Sequence, residues 1–114
     1  MKKIRATENE ILSRLSQLAS RKVVVLTYTH KLFFLRLLNM AVSKGYDTQN
    51  GLAVDVSVQE LSQVLNIPMR STIQSLNRLS ACGAIGRVAG EKTFPRSTTI
   101  TTIEKSMYEC EKEK

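Results

Sequence analysis

The sequence predicts a single α+β domain that is mainly α-helical, and three observations carry that expectation. The chain of 114 residues, 42% hydrophobic and 24% charged, can bury one hydrophobic core, and no Pro-, Gly- or Ser-rich linker or internal repeat divides it. Two capping boxes, Thr7 with Glu10 and Ser57 with Glu60, open segments whose apolar residues recur at helical spacing. Beyond residue 84 the composition turns β-branched on either side of a turn-rich stretch, the pattern of a hairpin.

Ile11, Leu12, Leu15, Leu18 and Ala19 form one apolar stripe behind the first capping box, so an N-terminal helix is expected within residues 5–22. "KVVVLTYT" is short and β-branched and fits either a strand or the approach to the next helix. "HKLFFLRLLNMAVSKG" reads as a helix of about four turns ending at Gly45, with Arg36, Asn39 and Ser43 as a thin exposed stripe. Such a helix needs cover on most sides, from the N-terminal helix or from a second subunit.

"GYDTQNG" is a turn cluster, and Leu52, Val54 and Val56 alternate behind it as a short strand. The helix capped by Ser57 turns Leu61, Val64 and Leu65 inward and Gln59, Glu60 and Gln63 to water. Asn66 can take the left-handed conformation that stops it, and Pro68 suits the first turn of the helix that follows and stops at Gly83. "AIGRV" and "STTITTI" then form the hairpin, with "AGEKTFPR" at its tip. The tail from residue 104 to 114 reads as a short helix or frayed end, anchored by Met107 and Tyr108.

Seventeen Lys and Arg against ten Asp and Glu give a formal charge of +7 and a pI near 9.7, a balance that favours a polyanionic partner. Residues 1–56 carry nine basic and four acidic side chains, residues 57–103 five and two, and the last eleven three and four. The excess therefore lies in the body of the chain and not in a basic tail. On the helix after Pro68, residues placed at about 100° intervals put Ile73, Leu76 and Ser80 on one side. Arg70, Gln74 and Arg78 then line the other, with Ser71 and Ser75 beside them. Arg forks onto guanine, Gln onto adenine, and hydroxyls and cations onto phosphate. A generic surface helix mixes Glu with Lys, whereas Met69 to Cys82 holds no acidic residue, so the face is expected to read duplex DNA.

The stretch "QELSQVLNIPMRSTIQSLNRLSACGAI" resembles the winged helix-turn-helix family of prokaryotic DNA-binding proteins. It carries an acidic-Leu pair, a tight turn, a polar-Ser-Thr-aliphatic run, Leu-x-x-Leu and a closing Gly83-Ala84-Ile85. Two positions depart from the family pattern, Asn66 at the usual turn Gly and Ser62 at the usual small Ala. The resemblance covers residues 30–103 and implies a winged helix-turn-helix with an extra N-terminal helix and a short C-terminal helix or tail. It also implies double-stranded DNA as partner, Arg70, Ser71, Thr72, Gln74, Ser75 and Arg78 at the groove, and Arg87, Lys92 and Arg96 on the wing.

A homodimer is expected, with the N-terminal helix and the over-apolar helix as its interface through Ile11, Leu15, Leu18, Phe33, Phe34 and Leu37. The expected function is that of a cytoplasmic, sequence-specific DNA-binding protein, most simply a transcriptional repressor without an effector domain. A plasmid centromere-binding partition adaptor or a replication-associated protein is the alternative within the same family, and a winged helix used only for protein–protein interaction is another.

Other classes find less support. Val23 to Val42 has the length of a membrane span, but His30, Lys31, Arg36 and Asn39 interrupt it, and "IRATENEILSRLSQ" follows Met-Lys-Lys where an export signal would be apolar. Cys82, Cys110 and His30 cannot complete a four-ligand zinc site, and two cysteines suit reduced thiols better than a disulfide framework. His30 has no Cys, Asp or Ser nearby in sequence to form a dyad and reads as a structural or capping residue. "GAIGRVAG" leaves a helix and enters a strand, the reverse of a phosphate loop. No catalytic role, metal or cofactor is expected. Cys82 reads as a small residue near a helix end, with oxidation sensing the less simple account.

Overall fold

A computed structural model of the chain describes residues 6–89 and 98–109. Helix α1 (Glu8–Arg21) opens on the expected capping box. Thr7 Oγ1 accepts from Glu10 N–H at 3.1 Å, and the Glu10 carboxylate accepts from Thr7 N–H at 2.9 Å, so two donors that the first turn leaves orphaned are satisfied. At the other end Val24 N–H donates to Ala19 O at 2.9 Å and Val23 N–H to Ser20 O at 3.1 Å. This paired closure requires a left-handed residue, and Val23 supplies it at φ 56°. The segment left open between strand and helix is neither through Thr27; α2 (Tyr28–Lys44) takes over at Tyr28.

Helix α2 is also closed by a capping box, with histidine in the acidic residue's place. Thr27 Oγ1 accepts from His30 N–H at 3.4 Å, and His30 Nδ1 accepts from Thr27 N–H at 3.2 Å. Phe33, Phe34, Leu37, Leu38, Met40 and Ala41 are buried, while Arg36, Asn39 and Ser43 form the expected exposed stripe. Cover for α2 comes from within the chain, from α1, from strand β2 (Gly51–Val56) and from helix α4 (Met69–Ala81). The expected dimer contacts are thereby corrected. Ile11, Leu15, Phe33, Phe34 and Leu37 are at most 2% exposed in the single chain, because α1 packs its stripe on α2, and Leu18 is partly buried against the same core.

Strand β1 (Tyr46–Asp47), unanticipated within the turn cluster, pairs with β2. The sheet is antiparallel in the order β1-β2-β4-β3, with β3 (Ile85–Ala89) and β4 (Thr99–Glu104) forming the hairpin. Gly51 to Val54 are buried in succession rather than alternately. The backbone of Gly45, leaving α2, lies so close to the Ala53 carbonyl that a Cβ would collide with it, and α2 itself packs against β2. After β4 the chain makes a short 3-10 turn (Lys105–Met107), and Met107 and Tyr108 are buried as expected. Burial first, then the negative charges of Asp47 and Glu109, push the Tyr108 phenol up to about 12. Arg14 of α1 holds this segment, its Nη1 donating to the carbonyls of Ser106 (3.2 Å), Met107 (3.2 Å) and Glu109 (2.8 Å). The chain is thus α+β and mainly helical, and among the described residues no helix is long and apolar enough to cross a membrane.

Candidate nucleic-acid interface

Helix α3 (Val58–Leu65) and α4 stand three residues apart, and local chemistry sets the bend. The Ser57–Glu60 capping box starts α3 with bonds of 3.0 and 3.3 Å. Asn66, at φ 56° and ψ 50°, ends it, with Ile67 N–H donating to Ser62 O at 3.0 Å and Asn66 N–H to Gln63 O at 3.2 Å. This is the closure seen after α1, here with a residue that tolerates the left-handed region. Ser62 clamps the turn a second time, its hydroxyl donating to Ile67 O at 2.8 Å. Asn66 and Ser62 therefore both shape the turn, one by its left-handed backbone and the other by its hydroxyl. Arg36 of α2 adds a third, its Nη1 donating to Leu65 O at 3.3 Å.

Helix α4 starts after Pro68, which needs no N–H there. Its inward face is Thr72, Ser75, Leu76 and Leu79, roughly a quarter turn from the face expected of Ile73, Leu76 and Ser80. Thr72 and Ser75, expected at the groove, are 0% and 1% exposed. Their small side chains fit the tight packing of α4 on α2 and α3, and Thr72 Oγ1 turns back to donate to Pro68 O at 3.1 Å. Ile73, Ser80 and, on α3, Val64 are correspondingly exposed instead of buried.

Outward stand Met69, Arg70, Ile73, Gln74, Asn77 and Arg78, with Ser71 half-buried at the edge. Asn77 was missed from sequence. Its position seven residues after Arg70 puts it on the same line of the helix, and only the assumption that Ser75 faced out hid that. Arg78 is exposed but engaged, since its Nη1 donates to Val25 O at 2.6 Å. It links α4 to the connector between α1 and α2, and its charge, after burial, helps lower the pKa of His30. No acidic residue occurs between Glu60 and Glu91, so no carboxylate from α4 opposes a polyanion there.

Comparison of the chain with protein-family models, curated proteins and solved structures found no match.

The hairpin contributes less than expected within the described residues. Arg87 pairs across the sheet with Thr101, itself opposite Val54, and both are buried. Its side chain therefore shares the core-facing side of the sheet. Arg87 is half-buried, and its Nε is buried with no hydrogen-bond partner among the described residues. Lys92 and Arg96 lie outside the described residues, as do Cys110 and the end of the tail. Cys82 is fully buried, its thiol directed at Leu79 O at 3.4 Å. Two shallow cavities border α1, one of about 280 Å³ lined by Ser16, Val24 and Lys31 among others, the other of about 330 Å³ beside Arg14, Leu18 and Arg21. Neither adjoins the α4 face.

Proposed function

We propose that the chain is a winged helix-turn-helix protein that binds double-stranded DNA through α4, most simply as a transcriptional repressor acting as a homodimer. The observation that carries this reading is the outward face of α4, where Arg70, Gln74 and Asn77 stand together in solvent on a helix whose bend from α3 is held by Asn66 and Ser62. Those groups match base edges and phosphates in a major groove. The element order from α2 to β4, with β4 between β2 and β3, supports the same reading, and the charge of +7 supports a polyanion.

The homodimer would use surface other than the six residues expected for it. Val25 in the α1–α2 connector and Tyr28 at the start of α2 are large exposed apolar side chains, and two-fold half-sites would follow from the symmetry. A second reading, a module for protein interaction alone, draws on Val64, Met69 and Ile73, which are also exposed.

Fluorescence anisotropy on random-sequence duplex and on DNA flanking the chain's own gene, across a salt series, tests the proposal. The expected result is affinity that falls steeply with salt and drops at least tenfold in an Arg70→Ala, Gln74→Ala variant. Arg78 is left intact because it also holds the connector. Absence of binding to either duplex at low salt would overturn the reading in favour of a protein partner.

A further inference from the structure

The outward face of α4 combines two chemistries that ordinary surface helices keep apart. Ile73 is 42% exposed and Met69 44% exposed, on a helix whose amides at Gln74 and Asn77 are exposed as well. At about 100° per residue, Ile73, Asn77, Arg70 and Gln74 follow one another in that order around a single face of the helix. We propose, resting on the reading of α4 as a DNA-contacting helix, that this face recognises A·T pairs and that Ile73 packs on a thymine methyl.

The chemistry of the base edges supports that choice. An adenine presents N7 as acceptor and N6 as donor in the major groove, a pattern that a carboxamide meets with one donor and one acceptor, and its thymine partner presents the C5-methyl beside it. Amide and aliphatic side chains on one face are therefore complementary to the two halves of the same pair. A G·C pair offers no methyl, and the donor of its cytosine calls for a carboxylate acceptor, whereas no Asp or Glu occurs between Glu60 and Glu91. Arginine is the guanine reader, and of the two on α4 Arg78 is engaged with Val25 O, which leaves Arg70 for a single guanine or a phosphate. The apolar groups thus have a defined occupant, and the positive, carboxylate-free surroundings favour nucleic acid over an acidic-residue-poor protein surface.

The test is selection of a randomised duplex library on the full-length protein, followed by anisotropy on the selected duplex with thymines replaced by uracil. The selected sites are expected to share a core of A·T pairs. Removing the contacted methyl should weaken binding about fourfold, the value of one buried methyl group, while leaving the salt dependence unchanged. An Ile73→Ala variant, checked for an unaltered melting temperature, should bind the thymine duplex about as weakly as the native chain binds the uracil duplex and should be indifferent to the replacement. Salt-sensitive binding with a G·C core, with no shared core, or with no response to uracil would overturn the proposal and leave the DNA-binding reading standing. Failure to bind any duplex at low salt would overturn both.

Discussion

Replacing Val23 with Asn should stabilise the fold by about 1 kcal/mol, because the left-handed backbone costs a β-branched residue roughly 1–2 kcal/mol. Three helices end with the same pair of hydrogen bonds. The left-handed residue is Val23 after α1 at φ 56°, Asn66 after α3 at φ 56° and Gly83 after α4 at φ 86°. Only the first is occupied by a residue type unsuited to it. The side chain of Val23 is 89% exposed, so its removal forfeits almost no burial, and Asn avoids the extra unfolded-state entropy that Gly would bring. A gain of that size corresponds to roughly 4 °C in melting temperature for a domain near 100 residues. The assay is thermal and urea unfolding of native, Val23→Asn and Val23→Gly proteins, with Gly83→Ala as the converse. At Gly83 an added Cβ meets nothing within 4 Å, so Ala there measures the conformational cost alone, about 1 kcal/mol of lost stability. If both Val23 variants were no more stable than the native chain while Gly83→Ala lost stability, the strain assigned to Val23 would be refuted.

Arg14→Ala should lower stability by about 2 kcal/mol and expose the segment after Glu104 to limited proteolysis, since one guanidinium nitrogen bonds three of its carbonyls; unchanged cleavage would remove Arg14 as the tie. Ser75→Leu should overpack the contact of α4 with its neighbours and cost about 1–3 kcal/mol, readable as a lower urea midpoint, whereas a Ser75 that contacted DNA would lose affinity with the midpoint unchanged. Burial, then the charge of Arg78, lowers the His30 pKa below its ordinary 6.5. The unfolded chain therefore binds this proton more readily than the folded one, and stability should rise with pH across that window. His30 should thus contribute stability that is present above about pH 6.5 and lost as the pH falls through the folded value, as protonated Nδ1 can no longer accept from Thr27 N–H. Urea midpoints between pH 5 and 7.5 should show the loss in the native chain and a smaller one in His30→Gln; equal slopes would assign it elsewhere.

Local chemistry made most of the elements legible in the sequence. Thr7 with Glu10, Ser57 with Glu60, Asn66 and Gly83 start or stop helices through bonds within a few residues of themselves, so reading those residues was enough to place α1, α3 and α4. The β-branched runs around residues 85–89 and 99–104 likewise announced the hairpin. The capping role of His30 is equally local and was among the roles its position suggested, although histidine is an unusual occupant of a place normally held by Glu or Gln.

What the tertiary structure alone decided is which way each face points and which charges are free. Thr72 and Ser75 look polar in a list of residues, yet close helix packing favours small side chains and a threonine hydroxyl can return its hydrogen bond to the helix backbone, so both went inward and Asn77 and Ile73 went out. The apolar residues of α1 and α2 could equally have met a second copy. They meet each other because the chain between Arg21 and Tyr28 turns back on itself at Val23, a fold-level event that no local pattern announces. Arg14, Arg36 and Arg78 are each engaged with carbonyls that are 29 to 95 residues away in sequence. Charge and capping are properties of residues and their near neighbours; partnership across such separations exists only once the chain has folded.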